Sequence, residues 1–170
     1  MRSLSISKFL LNKILLKGPF VLLIIALTSI TAFSSDNAKK VQWEPYSIAL
    51  KNAAVDKKMV FTYLSASWCT SCKGMEKNTF TDPFIVNILN TRFHPVKLDV
   101  NSEEAIVCDE KEKTVERCFF DVWKLNGVPS FVLIAPKGLT ILTLTQSLEA
   151  NEMRLLLQHF LKKEKEWVLE

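Results

Sequence analysis

Trp68-Cys69-Thr70-Ser71-Cys72-Lys73 follows directly on the apolar, β-branched and aromatic run Met59 to Leu64 and opens a segment with helical spacing, Cys72 to Phe80. Two thiols three residues apart at the start of a helix lie on one face, within reach of a short disulfide loop. A helix N-terminus contributes partial positive charge and free N–H groups, which stabilise a thiolate and make the first cysteine, Cys69, the expected nucleophile. Zinc sites and inert structural disulfides use the same C-x-x-C spacing. Zinc needs two further ligands, and the chain offers only Cys108 and Cys118, ten apart, and His94 and His159, neither with a partner in sequence. The strand-to-helix junction therefore favours redox chemistry over metal binding, and no metal or organic cofactor is expected.

Working outward, the N-terminal residues 1–34 carry Arg2, Lys8, Lys13 and Lys17 and no acid, so the whole net charge of +4 resides there. The body is electrically balanced and has no basic stripe interleaved with aromatics, which excludes a nucleic-acid-binding class. The leader has a basic start, the apolar run Phe20 to Ile30, and small residues at Ala32 and Ser34, the layout of a secretory signal cleaved after Ser34. An uncleaved single membrane anchor is the alternative, although the apolar core of about 14 residues is short of the roughly 20 that span a bilayer; a mitochondrial transit peptide is a third. Export would place the body where disulfides persist, and its 4 cysteines allow three pairings. Pairing of Cys108 with Cys118 as a structural disulfide is expected, with a second redox relay or free thiols as alternatives.

Residues 35–42 are polar and read as a linker, leaving 43–170 as the folded domain. Helical spacing runs from Pro45 to Lys57, the first strand from Met59 to Ala66, a second helix start at Asp82-Pro83, and the next strand from Phe93 to Val100. Met59 to Ala66 has too few charges for an edge and belongs in the middle of a sheet. Asn101 to Lys113 is acidic and polar, an exposed excursion and not a strand. Thr114 to Leu125 returns to helical spacing, followed by strands at Ser130 to Ala135 and Leu139 to Thr145, and by a last helix from about Leu148 to Lys163. This order predicts an α/β domain, a central mixed sheet of about four strands flanked by helices. With a C-x-x-C after the first strand and a lone proline, Pro129, opening the third, the order resembles the thioredoxin fold, which is the fold expected.

The body resembles the C-terminal periplasmic domain of DsbD-type thiol:disulfide interchange proteins. The resemblance is carried by Ser67-Trp68-Cys69-Thr70-Ser71-Cys72-Lys73, by Met75-Glu76-Lys77-Asn78-Thr79-Phe80-Thr81-Asp82-Pro83, and by Gly127-Val128-Pro129-Ser130, within residues 43–163. It implies Cys69 as attacking thiol, Cys72 as resolving thiol, and Pro129 as a cis proline facing them, with Val128 and Trp68 contributing to the substrate surface. It further implies protein substrates with disulfides, a periplasmic location, and a separate electron donor, which in the family is membrane-embedded. Such domains carry an acid in the strand six positions before the first cysteine; here Tyr63 stands there. Glu76, one helical turn after Cys72 on the same face, is the candidate base in its place, an exposed carboxylate paired with Lys73 or Lys77 being the plain alternative. The function expected is disulfide reduction or exchange. The competing expectation is a non-catalytic binding or chaperone module whose disulfide is only structural.

Overall fold

Met59–Ser65 is buried along all 7 of its residues, as a strand is when neighbours flank both edges and layers cover both faces. In the computed structural model, which describes residues 40–168 and the side chains of all but 163 and 165–168, this strand, β1, lies inside a 4-stranded sheet. The leader and residues 35–39 of the expected linker lie outside the described residues. β1 pairs in parallel with β2 (Phe93–Asp99) and antiparallel with β5 (Ser130–Ile134), and β6 (Thr140–Thr145) pairs antiparallel with β5, giving the order β2-β1-β5-β6. The helices that accompany this mixed sheet are α1 (Tyr46–Asp56), α2 (Thr70–Asn78), α3 (Pro83–Arg92) and α5 (Ala150–Val168). This is the α/β thioredoxin fold expected, with β1 in the middle.

Local chemistry explains the helix ends. Asp82 caps α3 by accepting hydrogen bonds from the N–H groups of Phe84 (3.1 Å) and Ile85 (3.2 Å), with Pro83 at the first helical position. Arg154 of α5 grips the same carboxylate, its Nε donating to Oδ1 at 3.2 Å. That hydrogen bond, the largest influence, holds the Asp82 carboxyl below the usual aspartate range. A carboxyl depressed in the folded state stabilises the fold above its unfolded pKa, so the clasp holds at neutral pH and is lost as acid titrates it below about pH 4.

Residues 101–113 depart from the expected strandless excursion. β3 (Ala105–Cys108) and β4 (Lys111–Thr114) form a hairpin, a separate 2-stranded sheet, through the two-residue loop Asp109-Glu110 with positive φ at both positions. Ile106 and Cys108 face inward, Tyr46 donates its hydroxyl to the Val107 carbonyl (3.0 Å), and Asp109 Oδ1 accepts from both the N–H and the Oγ1 of Thr140 (2.9 Å each). The continuous helix expected over Thr114 to Leu125 is also corrected. It is a single turn, α4 (Val115–Arg117), followed by a π-helical turn at Cys118–Val122 in which the N–H of Trp123 reaches the carbonyl of Cys118 (2.9 Å). Cys108 and Cys118 are joined, which ties the hairpin to that turn.

Tyr63 is the centre of an aromatic cluster with Trp43, Phe80 and Phe131, its ring centroids 5.9, 4.8 and 5.8 Å from theirs. Trp43 and Trp123 are packing residues, the latter donating its Nε1–H to Thr140 Oγ1 (3.1 Å). Residues 40–44 lie against the outer edge of β2: the N–H of Glu44 donates to the carbonyl of Pro95 (2.7 Å), and Asn90 bonds Gln42 and Lys40. His94, buried at the start of β2, sets Nδ1 2.8 Å from Glu44 Oε1 and Nε2 3.0 Å from Asp56 Oδ1, joining this strip to the end of α1.

Candidate active site

Leu64 and Ser130 are register partners, so the loop that leaves β1 toward Cys69 and the loop that enters β5 emerge at one end of the sheet. The Val128–Pro129 peptide in the second loop is cis. Pro129 is buried and Val128 half-buried, while Trp68 in the first loop is 66% exposed. Thus the sheet topology brings Trp68, the cysteine pair, Val128 and Pro129 to a common edge of the domain.

Cys69 is itself the N-cap of α2. Its Sγ accepts a hydrogen bond from the N–H of Cys72 at 3.1 Å, and Ser71 Oγ lies 3.4 Å away. This is why α2 starts at Thr70, two residues earlier than the apolar spacing alone suggests. Cys69 and Cys72 form a disulfide, so Cys69 Sγ occupies the place of the attacking thiolate of the dithiol form. In that form the same N–H and the helix end would stabilise negative charge on sulfur. Both cysteines are buried in this oxidised form, Cys69 preceding the helix and Cys72 lying within its first turn.

Beneath the pair, Tyr63 donates its hydroxyl to the carbonyl of Cys72 at 3.3 Å. Burial, then the charge of Glu76 and a hydrogen bond with it, hold this phenol far above its ordinary range, so it stays a neutral donor and cannot act as a base. Glu76 thus lies against Tyr63, the residue six positions before Cys69. Its ion pair is with Lys97 Nζ at 2.8 Å, a partner from β2 and not Lys73 or Lys77 of its own helix. Lys97 is the register partner of Tyr63 across β1 and β2, so the strand pairing delivers the cation to this point. The sequence reading missed Lys97 and the hydroxyl of Tyr63; the signal for Lys97 was a single lysine set between Val96 and Leu98 in the strand Phe93 to Val100.

Among the described residues, no three of His, Cys, Asp or Glu gather into a group suited to a metal ion, and all four cysteines are engaged in disulfides. Also among the described residues, no helix is long and apolar enough to cross a membrane.

Residues 46–161 match the model of a thioredoxin-like domain family. Among solved structures, a thioredoxin from Thermus thermophilus aligns with a TM-score of 0.60 at 23% identity, covering 74% of this chain and 90% of that one. A protein described as DsbH oxidoreductase aligns at 0.57 with 18% identity, over 80% of this chain and 92% of that one. The C-terminal domain of Neisseria meningitidis DsbD in its reduced form aligns at 0.49 with 20% identity, over 66% of this chain and 95% of that one. No curated protein sequence matches the chain.

Proposed function

The chain belongs to the thioredoxin-like domain family, and we propose that within it the chain works as an exported thiol:disulfide oxidoreductase that reduces or exchanges protein disulfides. The observation that carries this reading is Cys69 Sγ capping α2 under the N–H of Cys72, at the sheet end that also presents Pro129. The Cys69 thiolate attacks one sulfur of the client disulfide. The Cys69–client bond forms, the client S–S bond breaks, and the departing client thiolate takes up a proton. Cys72, after giving its proton to Glu76, attacks Cys69 Sγ, closing the Cys69–Cys72 disulfide and expelling the second client thiolate, which takes up the proton held by Glu76. Two electrons and two protons thereby pass to the client, and a separate thiol donor must reduce the pair again. Trp68 and the backbone of Val128 hold the client segment, the latter by strand-like pairing.

No histidine lies between the cysteines to stabilise the reduced thiolate further, and this favours the reducing direction. The equilibrium reduction potential of Cys69–Cys72 against glutathione is expected near that of thioredoxin, about −270 mV, and not near that of DsbA, about −120 mV. A value close to the latter overturns the reducing direction.

Glu76→Gln tests the proton route. Resolution of the mixed disulfide is expected to slow by about 100-fold at pH 7, the low end of general-base effects because the group is partly exposed. The deficit should shrink above about pH 8.5, where solvent deprotonates a thiol unaided. A deficit that is the same at every pH marks Glu76 as merely structural.

A further inference from the structure

Between α2 and the turn from β6 into α5 lies an open-sided cavity of about 390 Å³, with Ser71, Gly74 and Asn78 on one wall and Ser147 and Glu149 on the other. Two buried hydrogen bonds hold its walls at a fixed separation. The N–H of Leu148 donates to Met75 Sδ (3.5 Å), and Thr79 Oγ1 donates to the carbonyl of Leu148 (2.8 Å). The cavity also adjoins the reacting groups. Ser71 lies 3.4 Å from Cys69 Sγ, and the N–H of Gln146, next to Ser147, donates to the carbonyl of Pro129 (3.2 Å).

Gly74 sits inside α2, where glycine costs about 1 kcal/mol relative to alanine. A Cβ there would meet nothing within 4 Å, and its φ is not in the left-handed region, so neither packing nor backbone geometry demands the glycine. Its effect is to keep this wall low. The lining contains one ionisable side chain, the carboxylate of Glu149, and the hydroxyls and amide around it offer further acceptors. The N–H of Glu149 donates to Glu152 Oε2 (2.8 Å), which sets a second carboxylate beside this wall.

We propose that this cavity is a subsite for a lysine or arginine side chain of the client, a few residues from the cysteine under attack; the inference rests on the oxidoreductase reading. A cation held there lowers the pKa of the nearby client thiol and makes it a better leaving group as well as a better-held substrate.

The test uses the pre-reduced full chain in single turnover with two disulfide-linked peptide dimers that differ only in Lys or Glu at one position a few residues from the cysteine. A small uncharged disulfide is run in parallel, and each peptide's intrinsic reactivity is set by its rate with dithiothreitol. After that correction the Lys dimer is expected to react about fivefold faster than the Glu dimer at low salt, the scale of an ion pair at a partly exposed site. The preference should fade as salt rises. Glu149→Gln brings the corrected ratio to about one, Glu149→Lys inverts it, and Gly74→Leu slows the Lys dimer by filling the cavity. Because each ratio compares two substrates on one protein sample, partial misfolding of a variant cancels. Turnover of the small disulfide with equal corrected rates for the two dimers, or a preference that survives in Glu149→Gln, overturns the subsite alone. Failure to reduce any disulfide overturns the oxidoreductase reading and the subsite with it.

Discussion

Cys69→Ser is expected to lower reduction of insulin disulfides to the rate of the thiol donor alone, whereas Cys72→Ser is expected to accumulate a covalent complex with its client. The difference follows from the positions of the two sulfurs. Cys69 Sγ caps the N-terminal end of α2 and accepts from the N–H of Cys72, whereas Cys72 lies inside the helix. A serine hydroxyl there has too high a pKa to supply a nucleophile at neutral pH. With Cys72 removed, Cys69 still attacks, but nothing internal resolves the mixed disulfide. Non-reducing electrophoresis after acid quench, with mass spectrometry of the adduct, reads both outcomes and identifies the client. Equal insulin reduction by wild type and Cys69→Ser, or none by either, would instead favour the non-catalytic binding module.

Replacing Cys108 and Cys118 together by alanine is expected to cost about 2 to 3 kcal/mol of stability, the loop-closure value for a short bridge. The sequence separation is 10, and the bridge fastens the β3–β4 hairpin to the π-helical turn. Urea denaturation of the oxidised proteins measures it, as a midpoint lowered by about 1 to 2 M at the slopes typical of small domains. Cys108 and Cys118 are both buried, so alanine at these positions leaves apolar side chains in an apolar setting and the loss is read as that of the bridge. Insulin reduction by the double variant is expected to persist below its unfolding midpoint, because the bridge lies outside the reacting edge.

The parts of the fold that were legible in the sequence are those whose local pattern and tertiary environment agree. Met59 to Leu64 is apolar because it is covered on both faces, and Asp82-Pro83 starts a helix through its own side chain and ring. The hairpin was hidden because β4, Lys111–Thr114, carries no apolar alternation and owes its strand state to pairing with β3. The π-helical turn at Cys118–Val122 was hidden for a different reason, since apolar residues three and four apart suit an α-helix and a π-turn alike. At the site, the cysteine pair and Pro129 were readable as motif. The link from Lys97 to Glu76 was not, because it depends on which residue of β2 stands beside Tyr63, a matter of strand register.

The strip at residues 40–44 has a consequence for selectivity. A protein that handles extended client segments must keep them from docking wherever its own sheet offers unpaired backbone groups. On the outer edge of β2 one such group is already missing, since Pro95 has no N–H, and its carbonyl is occupied by Glu44. The bond from His94 to Glu44 fastens the covering segment in place. On the proposed reading, strand addition by a client at this part of the β2 edge is thereby disfavoured, which leaves the Val128–Pro129 loop the backbone that a client pairs with beside the cysteines.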